Sequence, residues 1–324
     1  MPAIITHDLF AKDLYGDLFE TIGGSRDEAE AFLLGNQGPD PLFFAVPDVR
    51  YRRWAGLGST LHRMRPAEFL AALKNSVREL PAAERSVGRA WALGYVGHYE
   101  LDRAVHPLIR AQVRDLTRAG VEGLDASHES EVHAVIETEL DELALTAKRG
   151  ETVASFNPGT AVLKGRDSML DTVSRLHALA VREALGTEVP DGLYKSAVRA
   201  DRLAQRAVHS PRGTKRRILG AAERLVRDHS MAAAVSHRAA ERRTSAFANE
   251  EHNLWQHPTL EATSTASFWD LYREALGRAR ASIAVMDDDA FNLDAALRIA
   301  GAANFYGDAT CAVVVSVETL GNGE

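Results

Sequence analysis

An all-α protein is predicted from two observations. Apolar residues recur at helical spacing through most of the 324 residues, while sustained alternation of the strand type is nearly absent. Helix start signals punctuate the same stretches: "RPAEF" puts Pro66 in a first turn, "SHESE" offers Ser127 as an N-cap and "STASFWDL" offers Ser267. Taken in order, the pattern predicts helices over 5–20, 26–35, 66–79, 83–112, 127–147, 167–186, 191–209, 213–229, 267–286 and 289–304.

Between them, "LGNQGPDPLFF" sets two glycines and two prolines around Asp40 and must turn, and "WQHPTLEATSTA" reads as a second loop. The one strand-like run is "CAVVVSVETL" near the C-terminus. "GETVASFNPGTAVLKG", over 150–165, reads as a long connection. The organisation expected is a helical, metal-binding core over 1–150 with a helical portion over 151–324 packed on it, within one continuous domain.

Composition narrows the chemistry. The single cysteine, Cys311, excludes an internal disulfide framework and a cysteine-based zinc cluster, so a metal site must use histidine and carboxylates. No apolar run reaches bilayer-spanning length, and the opening "MPAIITHDLFAKDLYGDLFE" lacks the basic and apolar regions of a signal peptide. The expectation is a cytoplasmic protein. The net charge of −7 hides a basic belt: Lys195 to Arg243 holds 13 Lys or Arg against 4 Asp or Glu. Such a belt faces an anionic partner, or else belongs to arginine-rich surface helices whose acids lie elsewhere in the fold.

The chemistry concentrates in "ALGYVGHYELDRAVHPLI". Residues four apart on a helix drift by about 40°, so His98, Asp102 and His106 form one column in an apolar setting. Buried imidazoles and carboxylates are costly unless paired or bound to a metal. "HAVIETELD" repeats the arrangement with His133 and Glu137, and Asp141 follows one turn on. Asp40 sits on the rigid "GPDP" turn, His62 lies in "GSTLHRM" just before a helix start, and His7 stands at the entrance of the first helix. Six of the 12 histidines fall within the first 133 residues. Nitrogen and oxygen donors on successive turns suit zinc, and the pattern differs from the Glu-x-x-His of di-iron bundles. His128 is a substitute ligand ranked below His133. His252 and His257 flank Trp255 as rim residues, while His177, His209, His229 and His237 receive no role.

These residues also carry a resemblance. "ITH", "GNQGPDPLFF", "GSTLH", "GYVGHYELDRAVHP" and "HAVIETELD" occur in the order expected of the bacterial zinc-dependent phospholipase C family. "NEEHNLWQHP" followed by "SFWDLYREAL" is similar to the C-terminal portion of its cytoplasmic members. The resemblance implies a multi-helix fold shared with single-strand nucleases, with additional C-terminal helices, enclosing a trinuclear zinc cluster that cleaves phosphodiesters; this sequence's departures from the family leave two or three zinc ions as the expectation. It implies that Asp40, His62, His98 and Asp102 hold one zinc and that His106, His133 and Glu137 hold a second. It implies that His7 helps hold a third, with Asp102 bridging toward it. The sequence departs from secreted members in the short gap between Asp102 and His106 and in the processed N-terminal amine that completes their third site.

On that reading zinc polarises the phosphoryl group and supplies a metal-bound hydroxide for in-line attack. Asp40 is the expected catalytic residue, ligating metal and orienting or deprotonating the water. Tyr99 or Glu100 would aim the imidazoles. Phe43, Phe44 and Trp54 are core residues or the walls of an apolar approach for acyl chains. The expected partner is a phospholipid or a small phosphodiester, with peripheral membrane contact. Nucleic acid ranks lower, because the belt from Lys195 to Arg243 contains no Phe or Trp on which bases could stack. The rivals are a nuclease-like phosphodiesterase on the same scaffold and a non-catalytic, metal-braced helical binding protein.

Overall fold

The helical periodicity is realised almost throughout. The computed structural model describes residues 3–45, 48–64, 66–225, 230–301 and 303–309, and the fold is all-α, with 68% of the described residues helical. The helices in the first part are α1 (Ile4–Asp17), α2 (Phe19–Ile22), α3 (Arg26–Gly35), α4 (Leu57–Arg63), α5 (Pro66–Glu79), α6 (Arg85–Thr117) and α7 (Glu129–Arg149). There follow α8 (Pro158–Ala161), α9 (Asp167–Leu185), α10 (Leu193–Val208), α11 (Thr214–Arg224), α12 (Met231–Ala234), α13 (Phe268–Asp287) and α14 (Leu293–Ala300). Among the described residues no helix is long and apolar enough to cross a membrane.

Several local expectations hold and several are corrected. Pro66 opens α5, where its missing N–H leaves no bond unmade. Ser267 and Asp270 cap α13 reciprocally, the Asp270 amide donating to Ser267 Oγ at 3.2 Å and the Ser267 amide to Asp270 Oδ2 at 3.0 Å. Ser127 is not an N-cap. A 3₁₀ turn over Ala126–His128 intervenes, capped by the Asp125 carboxylate, and α7 begins only at Glu129. His62 does stand just before a helix start, that of α5 at Pro66, but it also lies inside a short helix the pattern did not predict, α4. The "WQHPTLEATSTA" loop contains a two-residue antiparallel pairing of β1 (Trp255–Gln256) with β2 (Thr263–Ser264). "CAVVVSVETL" lies outside the described residues, as do 226–229 at the end of the helix expected over 213–229.

The chain forms two compact units, each drawn from three separated stretches. The first comprises Met1–Leu9, Ala104–Val162 and Arg202–Glu274; the second comprises Phe10–Arg103, Leu163–Asp201 and Ala275–Glu324. The division falls within α6, just before Pro107, which interrupts the amide ladder without ending the helix. In the first unit α7 packs beside α12, with Thr138 Oγ1 donating to the Ala234 carbonyl at 2.9 Å. In the second, α5 lies against α9 and α14, over a core that includes Phe32, Phe69, Trp91, Tyr95 and Tyr194.

Several cations of the basic belt are paired within their own units. In the second unit Lys195 pairs with Asp171 at 2.6 Å and Arg199 with Asp167 at 2.7 Å. In the first, Arg242 reaches Glu139 and Glu142, each at 3.0 Å.

The contact that matters most for the site is the approach of α3 to α6. A Cβ on Gly35 would lie 2.2 Å from the Trp91 carbonyl oxygen, and one on Gly94 would lie 2.2 Å from that of Phe32. Backbone meets backbone there, and only glycines fit. The crossing delivers the end of α3, and the turn after it, to the middle of α6. Gly94→Ala is therefore expected to wedge the helices apart and cost about 1–3 kcal/mol, read as a lower midpoint in denaturant unfolding.

Candidate metal centre

In the second unit four of the expected ligands converge. Asp40 opens a 3₁₀ turn (Asp40–Phe44), His62 comes from α4, and His98 and Asp102 come from successive turns of α6. All four are buried, His98 completely. Gly38 makes room for this: its φ of +51° suits glycine, and a Cβ there would meet the His98 ring at 2.3 Å.

The hydrogen bonding of the two imidazoles fixes their chemistry. His62 Nδ1 lies 2.7 Å from the Gly58 carbonyl oxygen and His98 Nδ1 lies 3.1 Å from that of Asn36. A carbonyl oxygen only accepts, so each Nδ1 carries the proton and donates. What remains on each ring is Nε2, and it faces carboxylate. His62 Nε2 is 3.1 Å from Asp40 Oδ1 and 3.6 Å from Asp102 Oδ2, and His98 Nε2 is 3.2 Å from Asp102 Oδ2. A bare nitrogen lone pair facing a carboxylate oxygen is repulsive unless a positive charge lies between them. A proton is one solution: burial opposes a charged His98, but Asp102 beside it overrides that and raises the imidazole's pKa. A divalent cation is the other. The donor atoms of His62, His98 and Asp102 all lie within 4.8 Å of one another. Nitrogen and oxygen donors gathered in this way fit zinc.

The first unit holds a second set. His106 on α6 and His133 on α7 both address Glu137 Oε1, at 3.5 Å and 3.0 Å. His133 and Glu137 are one turn apart on α7, as their spacing requires. The three donor atoms again lie within 4.8 Å of one another. Burial would push the Glu137 carboxyl up, but His133 foremost, with His106, holds it well below the usual range. His133 is only half-buried, so this set has a solvent side.

His7 is buried on α1. The helix start that carries it is anchored by a residue whose role sequence reasoning missed. Asp141 Oδ1 accepts from the Thr6 amide at 2.7 Å and from Thr6 Oγ1 at 2.6 Å. Its Oδ2 accepts from the Ile5 amide at 3.1 Å and lies 2.9 Å from His237 Nε2. A buried carboxylate thus satisfies first-turn N–H groups of α1 where the helix dipole favours negative charge. The "HAVIETELD" spacing pointed to Asp141, but nothing local pointed to His237.

Other expectations are corrected. Tyr99 and Glu100 do not aim the imidazoles. The Tyr99 hydroxyl donates to the carbonyls of Ala300 and Ala303, and Glu100 is held by Arg103 at 2.8 Å and by Ser282 at 2.7 Å. His128 is tied to Asp125 at 3.1 Å, outside the His106 set. His252 bonds the Thr265 carbonyl, and the His257 ring accepts from the amides of Thr259 and Leu260, so both serve their own loop. Trp54 is buried, while Phe43 is half-buried with its ring 5.4 Å from that of His62. Compared with family models, with curated proteins and with solved structures, the chain gives no match.

The two donor sets share no residue, so any metal each takes can be counted separately. His62→Ala is expected to remove one equivalent of bound divalent cation and leave another, and His133→Ala to do the converse, as counted by elemental analysis after gel filtration.

Proposed function

We propose that the protein is a zinc-dependent phosphoric-ester hydrolase resembling phospholipase C. The observation that carries this reading is the acceptor-to-acceptor approach of His62 and His98 to Asp40 and Asp102, which calls for a cation in a buried pocket. Asp40, His62, His98 and Asp102 would hold one ion, and His106, His133 and Glu137 another. Zinc, when bound there, supplies Lewis acidity toward a phosphoryl oxygen and acidifies a coordinated water toward neutrality.

The chain's own residues do the rest. The carbonyls of Gly58 and Asn36 lock the tautomers of His62 and His98, so that Nε2 is the donor atom on both rings. Asp40 stands on a turn braced by its own amide, which donates to the Gln37 carbonyl at 3.1 Å. One of its carboxylate oxygens is near His62, and on this reading Asp40 is assigned the role of orienting a water and accepting its proton.

Half-buried Phe43 and Phe44 beside this turn favour a substrate with an apolar part, a phospholipid or a small phosphodiester. Nucleic acid is the weaker candidate, since cations of the basic belt are taken up by Asp167, Asp171, Glu139 and Glu142.

The test is metal analysis of the purified protein paired with a panel of phosphoesters that includes phosphatidylcholine, soluble phosphodiesters and single-stranded DNA. Chelation should abolish hydrolysis and zinc should restore it. Asp40→Asn should lower kcat by at least about 100-fold, a typical general-base contribution, while most of the metal stays bound. Tight metal binding with no turnover of any ester would instead favour the metal-braced binding protein.

A further inference from the structure

At the far end of the described chain, residues 303–309 fold into a turn. Asn304 builds it: its side-chain oxygen accepts from the amides of Tyr306 at 2.9 Å and Asp308 at 3.1 Å, and its amide donates to the Asp308 carbonyl at 2.9 Å. The Tyr99 hydroxyl fastens the turn to α6 by donating to the Ala303 carbonyl at 2.9 Å.

The turn is laid against the imidazoles. Phe305 is completely buried, with its ring centroid 5.2 Å from that of His62, 5.7 Å from His98 and 5.0 Å from Tyr99. Its amide donates to the His62 carbonyl at 3.3 Å. Tyr306 is half-buried and stacks on His62 at 5.9 Å, with the ring planes 28° apart. The helix carrying His62 has only 7 residues, too few to hold a side chain rigidly by itself. Phe43, Phe305 and Tyr306 supply the surfaces against which the His62 ring rests.

We propose that Phe305 and Tyr306 are positioning residues for the His62–His98–Asp102 set, so that the metal affinity of this set, and not that of the His106–His133–Glu137 set, depends on the turn over 303–309. The proposal rests on the reading that both sets take a divalent cation. Partners that orient metal-ligating histidines are typically worth about 10–100-fold in affinity. The turn would act through the angle of two imidazoles, without touching the ion.

Cobalt(II) is the probe, because its visible absorption reports ligand geometry and not only occupancy. Full-length protein, metal-free, is titrated with cobalt(II) against a competing chelator. Phe305→Leu and Tyr306→Leu keep side-chain bulk but remove the flat ring, and metal-free unfolding midpoints check that they fold. Each is expected to weaken one equivalent by about 10–100-fold and to change its visible band, leaving the other equivalent as in wild type. Tyr306→Phe is expected to behave as wild type. The proposal is overturned if both leucine variants bind both equivalents with wild-type affinity and spectrum, or if Tyr306→Phe fails as Tyr306→Leu does. A wild-type protein that takes up no cobalt, or takes up the same amount after His62→Ala, overturns instead the reading on which the proposal rests.

Discussion

An imidazole whose Nδ1–H is committed to a backbone carbonyl turns Nε2 toward whatever positive charge, proton or metal ion, completes its far side. His62 and His98 are both held in that orientation, by Gly58 and Asn36, and both present Nε2 to carboxylates. Everything nearby can be understood as the means of enforcing it. The Asn36 carbonyl is free to accept because Asn36 caps the end of α3, where the last carbonyls have no helical partner. That end reaches His98 only because Gly35 and Gly94 let two backbones touch. Gly38 then lets the chain pass over the ring and turn to present Asp40.

The same helix carries a second buried charge system with the opposite character. Glu100 is fully buried on α6 but meets donors: Arg103 at 2.8 Å, Ser282 at 2.7 Å and Arg278 at 3.3 Å. Here the charges are complementary within the protein itself, and nothing further is called for. A buried pair of this kind adds little net stability but penalises any register in which α13 leaves Glu100 alone. The contrast within one helix is between an acid already met by bases, at Glu100, and an imidazole facing an acid, at His98, where a proton or a metal ion must complete the pairing.

Much of this was legible in the sequence, and the reasons for the failures are physical. Helix positions followed from apolar periodicity, and the pairs His98–Asp102 and His133–Glu137 followed from the pitch of a helix, since both are properties of a few consecutive residues. Tyr99 and Glu100 were misjudged because they neighbour His98 in sequence. Successive residues on a helix point about 100° apart, so neither can reach the imidazole beside it. Ser127 was displaced by Asp125, a better-placed acceptor two residues earlier. The carbonyls of Asn36 and Gly58, the bond between His237 and Asp141, and the rings of Phe305 and Tyr306 are partners set by the fold. Most lie far along the chain, and no spacing rule announces them.

The contact between Phe305 and His62 has a consequence in time. A ribosome adds about 5–20 residues per second, so roughly 10–50 seconds of translation separate the emergence of the histidine from that of the aromatic ring that rests on it. During that interval the residues of α3, α4 and α6 have been made while those of the turn over 303–309 have not. Whatever order Phe305 imposes on the His62 ring therefore comes only after nearly the whole chain has been made.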